Sequence, residues 1–166
     1  MFFRTKARFF EGYNIAGVVN NLCNLRQLAL LLEFTNELDL LAVAAILDAC
    51  PFLHKFHLSI MHPSTFDGKR AEKTEVRCHT ELKEVEFSGF TGTKNEYDFV
   101  LYILENAVSL EQLTIFLHPR EYEVGGDRWI VTPHSNPRDD KKKQRIIRER
   151  LKELTISKNV IITVVV

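Results

Sequence analysis

Residues Leu82 to Ile115 read LKEVEFSGFTGTKNEYDFVLYILENAVSLEQLTI. They hold an L-x-x-V-x-F strand, a glycine-rich turn, a helical run and a second strand, L-x-x-L-x-I. The phrase recurs. Its strand core stands at Leu25-Leu28-Leu30, Leu53-Phe56-Leu58, Leu82-Val85-Phe87 and Leu110-Leu113-Ile115, with first positions at intervals of 28, 29 and 28 residues. A weaker copy, Leu151-Leu154-Ile156, follows after 41. Any amphipathic strand can produce one such pattern, but four in near-constant register mark an internal repeat.

In each copy the last two apolar positions are two apart, so they point to one face of a strand. One strand with its helix cannot bury that face alone. Stacked neighbours can, and the L-x-x-L-x-L core at this period is the strand signature of leucine-rich repeats. Parallel pairing needs a crossover between strands, which the helical runs supply. The expected fold is an α/β leucine-rich-repeat solenoid of about five units, with a parallel β-sheet on one face and helices and loops on the other. It forms a single domain over residues 1–166, closed by a C-terminal capping region at 139–166.

Taken in order, residues 1–24 read as a partial opening repeat, with Ile15, Val18, Val19 and Leu22 at helical spacing and Phe2, Phe3, Phe9 and Phe10 outside the repeat register. Asn36 is the expected N-cap of a helix from Glu37 to Ala49, in which Leu38, Leu41, Ala42, Ala45, Ile46 and Ala49 form a stripe and Leu40, Val43 and Leu47 broaden it. Pro51 stops it. Strands are expected at Leu53–Met61, Leu82–Phe87 and Leu110–Leu117, a helix at about Asn95–Ala107, and a polar loop at 62–80. The insertion at 118–140 contains EYEVGGDRWIV, a candidate hairpin around Gly125-Gly126. Asp140 is the expected cap of a polar helix from Lys141 to Arg150, with Ile146 and Ile147 as its apolar contacts, before a last strand region at Leu151–Val166.

Composition narrows the classes of function. Hydrophobic residues make up 45% and charged residues 27%, a globular balance. Lys+Arg and Asp+Glu both number 22, so no global field draws the chain to nucleic acid or to an anionic membrane. No apolar run reaches the ~18 residues of a membrane helix. Three cysteines without a C-x-x-C, and no signal-peptide core, lead us to expect an intracellular protein of cytoplasm or nucleus.

From Cys78 to Ile115 the chain resembles the FBD motif of plant F-box/leucine-rich-repeat proteins. The matching elements are Cys78, Leu82, Val85, Gly89-Phe90, Gly92, Glu96, Leu104-Glu105-Asn106-Ala107 and Leu110-Leu113-Ile115. The upstream repeats resemble the leucine-rich segment that precedes this motif, so the likeness spans roughly residues 15–157. It implies substrate recognition for a cullin-type ubiquitin ligase. The sequence departs from that pattern in showing no recognisable F-box, so a ligase adaptor is an expected partner only if an F-box is supplied elsewhere.

Chemistry-bearing patterns are weak. The six histidines show no H-x-x-x-H, and Cys78-His79 is the only adjacent Cys–His pair; neighbours on a strand diverge. Cys23 and Cys50, at similar positions before successive strands, read as packed thiols. Gly89, Gly92, Gly125 and Gly126 fit no phosphate-loop spacing and read as turn residues. No catalytic residue, metal ligand or cofactor is expected. The candidate partner-binding surface is the concave sheet face. Alternation places on it Gln27, Ala29 and Leu31, then Lys55, His57 and Ser59, then Glu84, Glu86 and Ser88, then Gln112, Thr114 and Phe116. Lys55, His57, Glu84, Glu86, Gln112 and Thr114 are the candidate contact residues, with an ordinary solvated sheet face as the rival reading. The resulting expectation is a non-catalytic protein–protein interaction domain holding a protein substrate or partner. The alternatives are nucleic-acid binding through the basic run at 141–152, or a fragment without independent function.

Overall fold

Leu28, Phe56, Val85 and Leu113 stand side by side on adjacent parallel strands, as the repeat register requires. Leu30, Leu58, Phe87 and Ile115 form a second row two residues on. A computed structural model describes residues 6–9, 24–32, 39–62, 78–123, 128–131, 137–154 and 159–166. Its elements are β1 (Lys6–Phe9), β2 (Gln27–Leu32), a 3-10 turn (Leu40–Val43), α1 (Ala44–Asp48), β3 (Lys55–Ile60), β4 (Glu84–Ser88), α2 (Lys94–Asn106), β5 (Gln112–Phe116), β6 (Arg120–Glu123), β7 (Arg128–Val131), α3 (Pro137–Leu154) and β8 (Ile161–Val165). Among the described residues β1, β2, β3, β4, β5 and β8 form one sheet in that order, every pair parallel. The architecture is mixed α/β.

Each rung starts in the same way. The carbonyl of Arg26 accepts the N–H groups of both His54 and Lys55, that of His54 those of Lys83 and Glu84, and that of Lys83 those of Glu111 and Gln112. Both apolar rows are buried, together with the first-position leucines Leu25, Leu53, Leu82 and Leu110. Phe99 of α2 meets Phe56 and Phe87 edge to face, at 6.5 and 6.1 Å between ring centroids. Burying each such side chain contributes about 1.5–3 kcal/mol, and here each is covered by a neighbouring unit as well as its own.

The turn after β4 depends on two glycines. Gly89 has φ +77°, and a Cβ there would collide with the carbonyl of Ile60. Gly92 has φ +86°. Beyond them Thr93 caps α2. The Glu96 carboxylate is fully buried and accepts the N–H groups of Gly92 at 2.6 Å, Thr93 at 2.8 Å and Thr91 at 3.0 Å. This is a capping box with two extra backbone arms, from Gly92 and Thr91. Burial pushes the Glu96 carboxyl up from its ordinary range, and these hydrogen bonds only partly counter it.

Several expectations need correction. No helix runs continuously from Glu37 to Ala49: Asp39 is extended, caps the turn through Leu41 N–H, and only Ala44–Asp48 is α-helical. Asn36 and Leu38 lie outside the described residues. The buried face is Leu40, Val43, Ile46 and Leu47, while Leu41, Ala42 and Ala45 stay partly or fully exposed. A tightly wound first turn rotates the stripe away from the α-helical spacing. At the N-terminus Lys6–Phe9 forms a sixth rung paired with β2; the helical pattern Ile15, Val18, Val19, Leu22 lies outside the described residues. The candidate hairpin is present as β6 and β7. At the C-terminus Leu151 and Leu154 belong to α3, not to a strand. The true rung is β8, where Ile162 pairs with Leu113 and Val164 with Ile115. Asp140 sits within α3 and binds His118 at 3.2 Å; it does not cap the helix. Ile147 and Leu151 anchor the helix, while Ile146 is exposed. No helix among the described residues is long and apolar enough to cross a membrane.

Candidate functional site

On the sheet face away from the helices, strand register aligns the candidate residues in rows. The first row is Gln27, Lys55, Glu84, Gln112 and Ile161; the second is Ala29, His57, Glu86, Thr114 and Thr163; the third is Leu31, Ser59, Ser88, Phe116 and Val165. Four of the six candidate residues form one cluster. Lys55 Nζ lies 2.8 Å from Glu86 and 3.1 Å from Glu84, and His57 Nδ1 lies 3.0 Å from Glu86 Oε2. Gln112 and Thr114 stand apart from it, with the Gln112 amide donating to Thr114 Oγ1 at 3.1 Å.

The face is not uniformly open. The β6–β7 hairpin folds over the second and third rows. Ser59 Oγ donates to the Arg120 carbonyl at 2.8 Å and accepts the Arg120 N–H at 3.2 Å. The Arg120 guanidinium lies 4.0 Å from the Phe116 ring centroid and 3.4 Å from Glu86. Trp129 lies flat on His57, with ring centroids 3.8 Å apart and planes within 5°. His57, Ser59, Ser88 and Thr114 are buried, whereas Glu84, Gln112 and Ile161 are exposed and Lys55 is half-buried. The accessible strip is therefore the first row, joined at the β8 edge by the exposed Thr163 of the second. Beside it in the chain, Arg26 stacks on Phe52 and contacts His54, His54 pairs with Glu81, and Lys83 pairs with Glu111.

The partners of His57 assign its tautomer. An ionised Glu86 can only accept, so Nδ1 carries the proton; Nε2, 3.2 Å from Ser88 Oγ, accepts from that hydroxyl. Burial holds the imidazole below its ordinary pKa, and Arg120 and Lys55 reinforce this against Glu86. The Glu86 carboxyl is drawn down to about 2, first by the His57 hydrogen bond and then by Lys55. A neutral imidazole donating Nδ1–H accounts for both directions. The order Ser88–His57–Glu86 is that of acyl-transfer triads. Here, however, Ser88 is fully buried, so its hydroxyl meets no substrate in this arrangement and instead fixes the imidazole.

The other sequence candidates are separated from this cluster by their contacts. Cys78 is exposed and His79 is buried against the Tyr102 hydroxyl at 2.9 Å. Cys50 is buried, and Cys23 lies outside the described residues. Among the described residues no three His, Cys, Asp or Glu side chains are grouped so as to hold a metal ion. In the basic run, Arg148 reaches the Val164 carbonyl at 3.4 Å and Arg150 covers the Tyr97 ring at 4.3 Å, so part of its charge serves the fold. Sequence reasoning missed Arg120 and Trp129, and placed Ser59 on this face without naming it a contact residue. The available signal was a lone tryptophan in the insertion that follows β5.

Parallel rungs spaced by 28 and 29 residues, with a polar sheet face, define a leucine-rich-repeat protein. The family described as At1g61320/AtMIF1, LRR domain, matches residues 8–163, and the chain belongs to it. No curated protein and no solved structure gives a significant match. A protein-interaction module is the role such a domain suggests.

Proposed function

We propose that this chain is a non-catalytic recognition domain, a leucine-rich-repeat solenoid that holds a protein partner along the first row of its sheet face. The observation that carries this reading is the strip Lys55, Glu84 and Gln112. It is laid across three rungs, accessible to solvent and of mixed charge, beside the carboxylate of Glu86. Rungs of this kind present an extended surface, and charges of both signs on a rigid frame select register and partner. Residues 78–115 form an FBD-like segment in this reading, 139–166 close the C-terminal end of a single domain, and the chain acts in the cytoplasm or nucleus. Its resemblance to F-box/leucine-rich-repeat proteins makes a ubiquitin-ligase substrate the first partner to seek, with the ligase adaptor joining only through an F-box supplied elsewhere.

The test is affinity capture from native tissue with the unaltered chain and with Glu84→Lys/Glu86→Lys, each shown to fold by circular dichroism. Loss of a specific captured protein with the double variant supports the reading. Unchanged capture moves the site elsewhere on the molecule. The second reading, nucleic-acid binding, draws on exposed Lys141, Lys142, Arg145 and Lys152. It requires binding to RNA or duplex DNA that weakens steeply with salt.

A further inference from the structure

The hairpin that shuts the second and third rows is held by contacts of three kinds, one of them the Arg120 guanidinium over the Phe116 ring, which does not titrate. The paired bonds between Ser59 and the Arg120 backbone are uncharged. The Arg120–Glu86 pair and the Trp129–His57 stack both converge on one titratable side chain and its acceptor. We propose that the β6–β7 hairpin is a cover on the second and third rows of the sheet face, beside the partner-binding first row, and that protonation of His57 opens it. This rests on the reading of that face as the binding surface.

The groups facing His57 are Lys55 two residues back on β3, Glu86 and Ser88 from β4, Arg120 from β6 and Trp129 from β7. Glu84 pairs with Lys55 beside them. With His57 neutral, Lys55 and Arg120 balance Glu84 and Glu86. Protonation adds a positive charge with no new anion, inside a site closed to water. It also makes both ring nitrogens donors, so the Ser88 hydroxyl must turn to accept. Departure of the hairpin relieves all of this: it removes the Arg120 guanidinium and gives the ring back to water. The Ser59 bonds do not change with pH and leave the Arg120 backbone as the pivot. Stacking of a cationic ring on indole returns less than it costs to bury an added charge whose one neighbouring carboxylate, Glu86, is already shared with Lys55 and Arg120. The sign follows. A histidine held below its ordinary pKa by docking stabilises the docked state at pH above about 6.5 and loses that contribution as pH falls below it.

Trp129 is the chain's single tryptophan, so indole emission reports the surroundings of this one ring. The experiment follows emission and acrylamide quenching of the full chain from about pH 7.5 to about pH 5, with far-UV circular dichroism alongside. The expected result is a shift of the emission maximum to longer wavelength and a several-fold rise in quenching. The dichroism stays unchanged, and the transition coincides with the assigned His57 ring resonances. The shift is absent in His57→Gln. Emission that keeps its position, dims without moving, moves only as the dichroism is lost, or moves equally in His57→Gln overturns the cover. No partner enters the experiment, so its failure beside intact charge-reversal results at Glu84 and Glu86 removes the cover and leaves the binding surface standing.

Discussion

The side-chain amide of Gln144 donates to the main-chain carbonyl of Val164 at 2.7 Å. The Val165 carbonyl accepts the N–H of Leu117, just past the end of β5, so the Val164 carbonyl, one residue back, points to the open side of β8. Helix α3 thereby shields the edge of the sheet, a position at which unpaired backbone groups invite another strand. Gln144→Leu should cost about 1 kcal/mol, the net worth of one such bond with Arg148 still nearby. Amide exchange should speed up in β8 but not in β3. Urea denaturation and hydrogen exchange check both; unchanged exchange in β8 would show that α3 does not protect the edge.

Of the two glycines among the described residues, Gly89 should tolerate an added methyl group least. Its backbone is left-handed and its Cβ would meet the Ile60 carbonyl, a main-chain atom held in the sheet. A loss of about 3 kcal/mol or more is expected. Gly92→Ala has the same φ problem but no collision, since the nearest atoms, on the Ile147 and Tyr97 side chains, lie at ordinary contact distance, 3.7 Å. It should cost about 1 kcal/mol. Equal midpoints for the two variants in urea would contradict this ranking.

Removing the Glu96 carboxylate leaves the N–H groups of Thr91, Gly92 and Thr93 without their buried acceptor. Glu96→Ala should cost about 2–3 kcal/mol. Glu96→Gln, which keeps one acceptor oxygen, should recover part of that. Thermal midpoints of the two variants separate the roles of acceptor and charge; a Glu96→Gln chain no better than Glu96→Ala would make the full carboxylate indispensable.

Glu86 supplies an acid dependence of stability. Its carboxyl is drawn from 4.5 to about 2 by the His57 hydrogen bond and then by Lys55. A depressed carboxyl contributes its full stabilisation above its unfolded value and loses it as pH falls toward the folded one. Stability should therefore decline between about pH 4.5 and about pH 2, and the decline should be shallower in Glu86→Gln. Parallel profiles for the two chains would show that Glu86 is not selectively stabilised as the anion.

The ladder was legible in the sequence because its signal repeats. Leu28, Phe56, Val85 and Leu113 fall on neighbouring rungs at the register that their spacing set. Both ends were harder to read. Leu151-Leu154-Ile156 has the repeat's apolar spacing, but Leu151 and Leu154 are also three apart on a helix. There the pairing of Ile147 with Leu151 one turn on wins. Lys6–Phe9 carries no L-x-x-L phrase, yet pairs with β2. Alternation found Lys55, His57, Glu84 and Glu86, because which face a strand residue takes is local information. It could not find Arg120 and Trp129, because where a hairpin lands depends on tertiary contacts with Ser59 and His57.

The account stands most directly on where a bound partner touches. Hydrogen exchange of the chain, alone and with its captured partner, measures this. The account predicts added protection at the starts of β3, β4 and β5, around Lys55, Glu84 and Gln112, with α3 unchanged. Protection confined to α3, with those three strand starts exchanging as in the free chain, would contradict it.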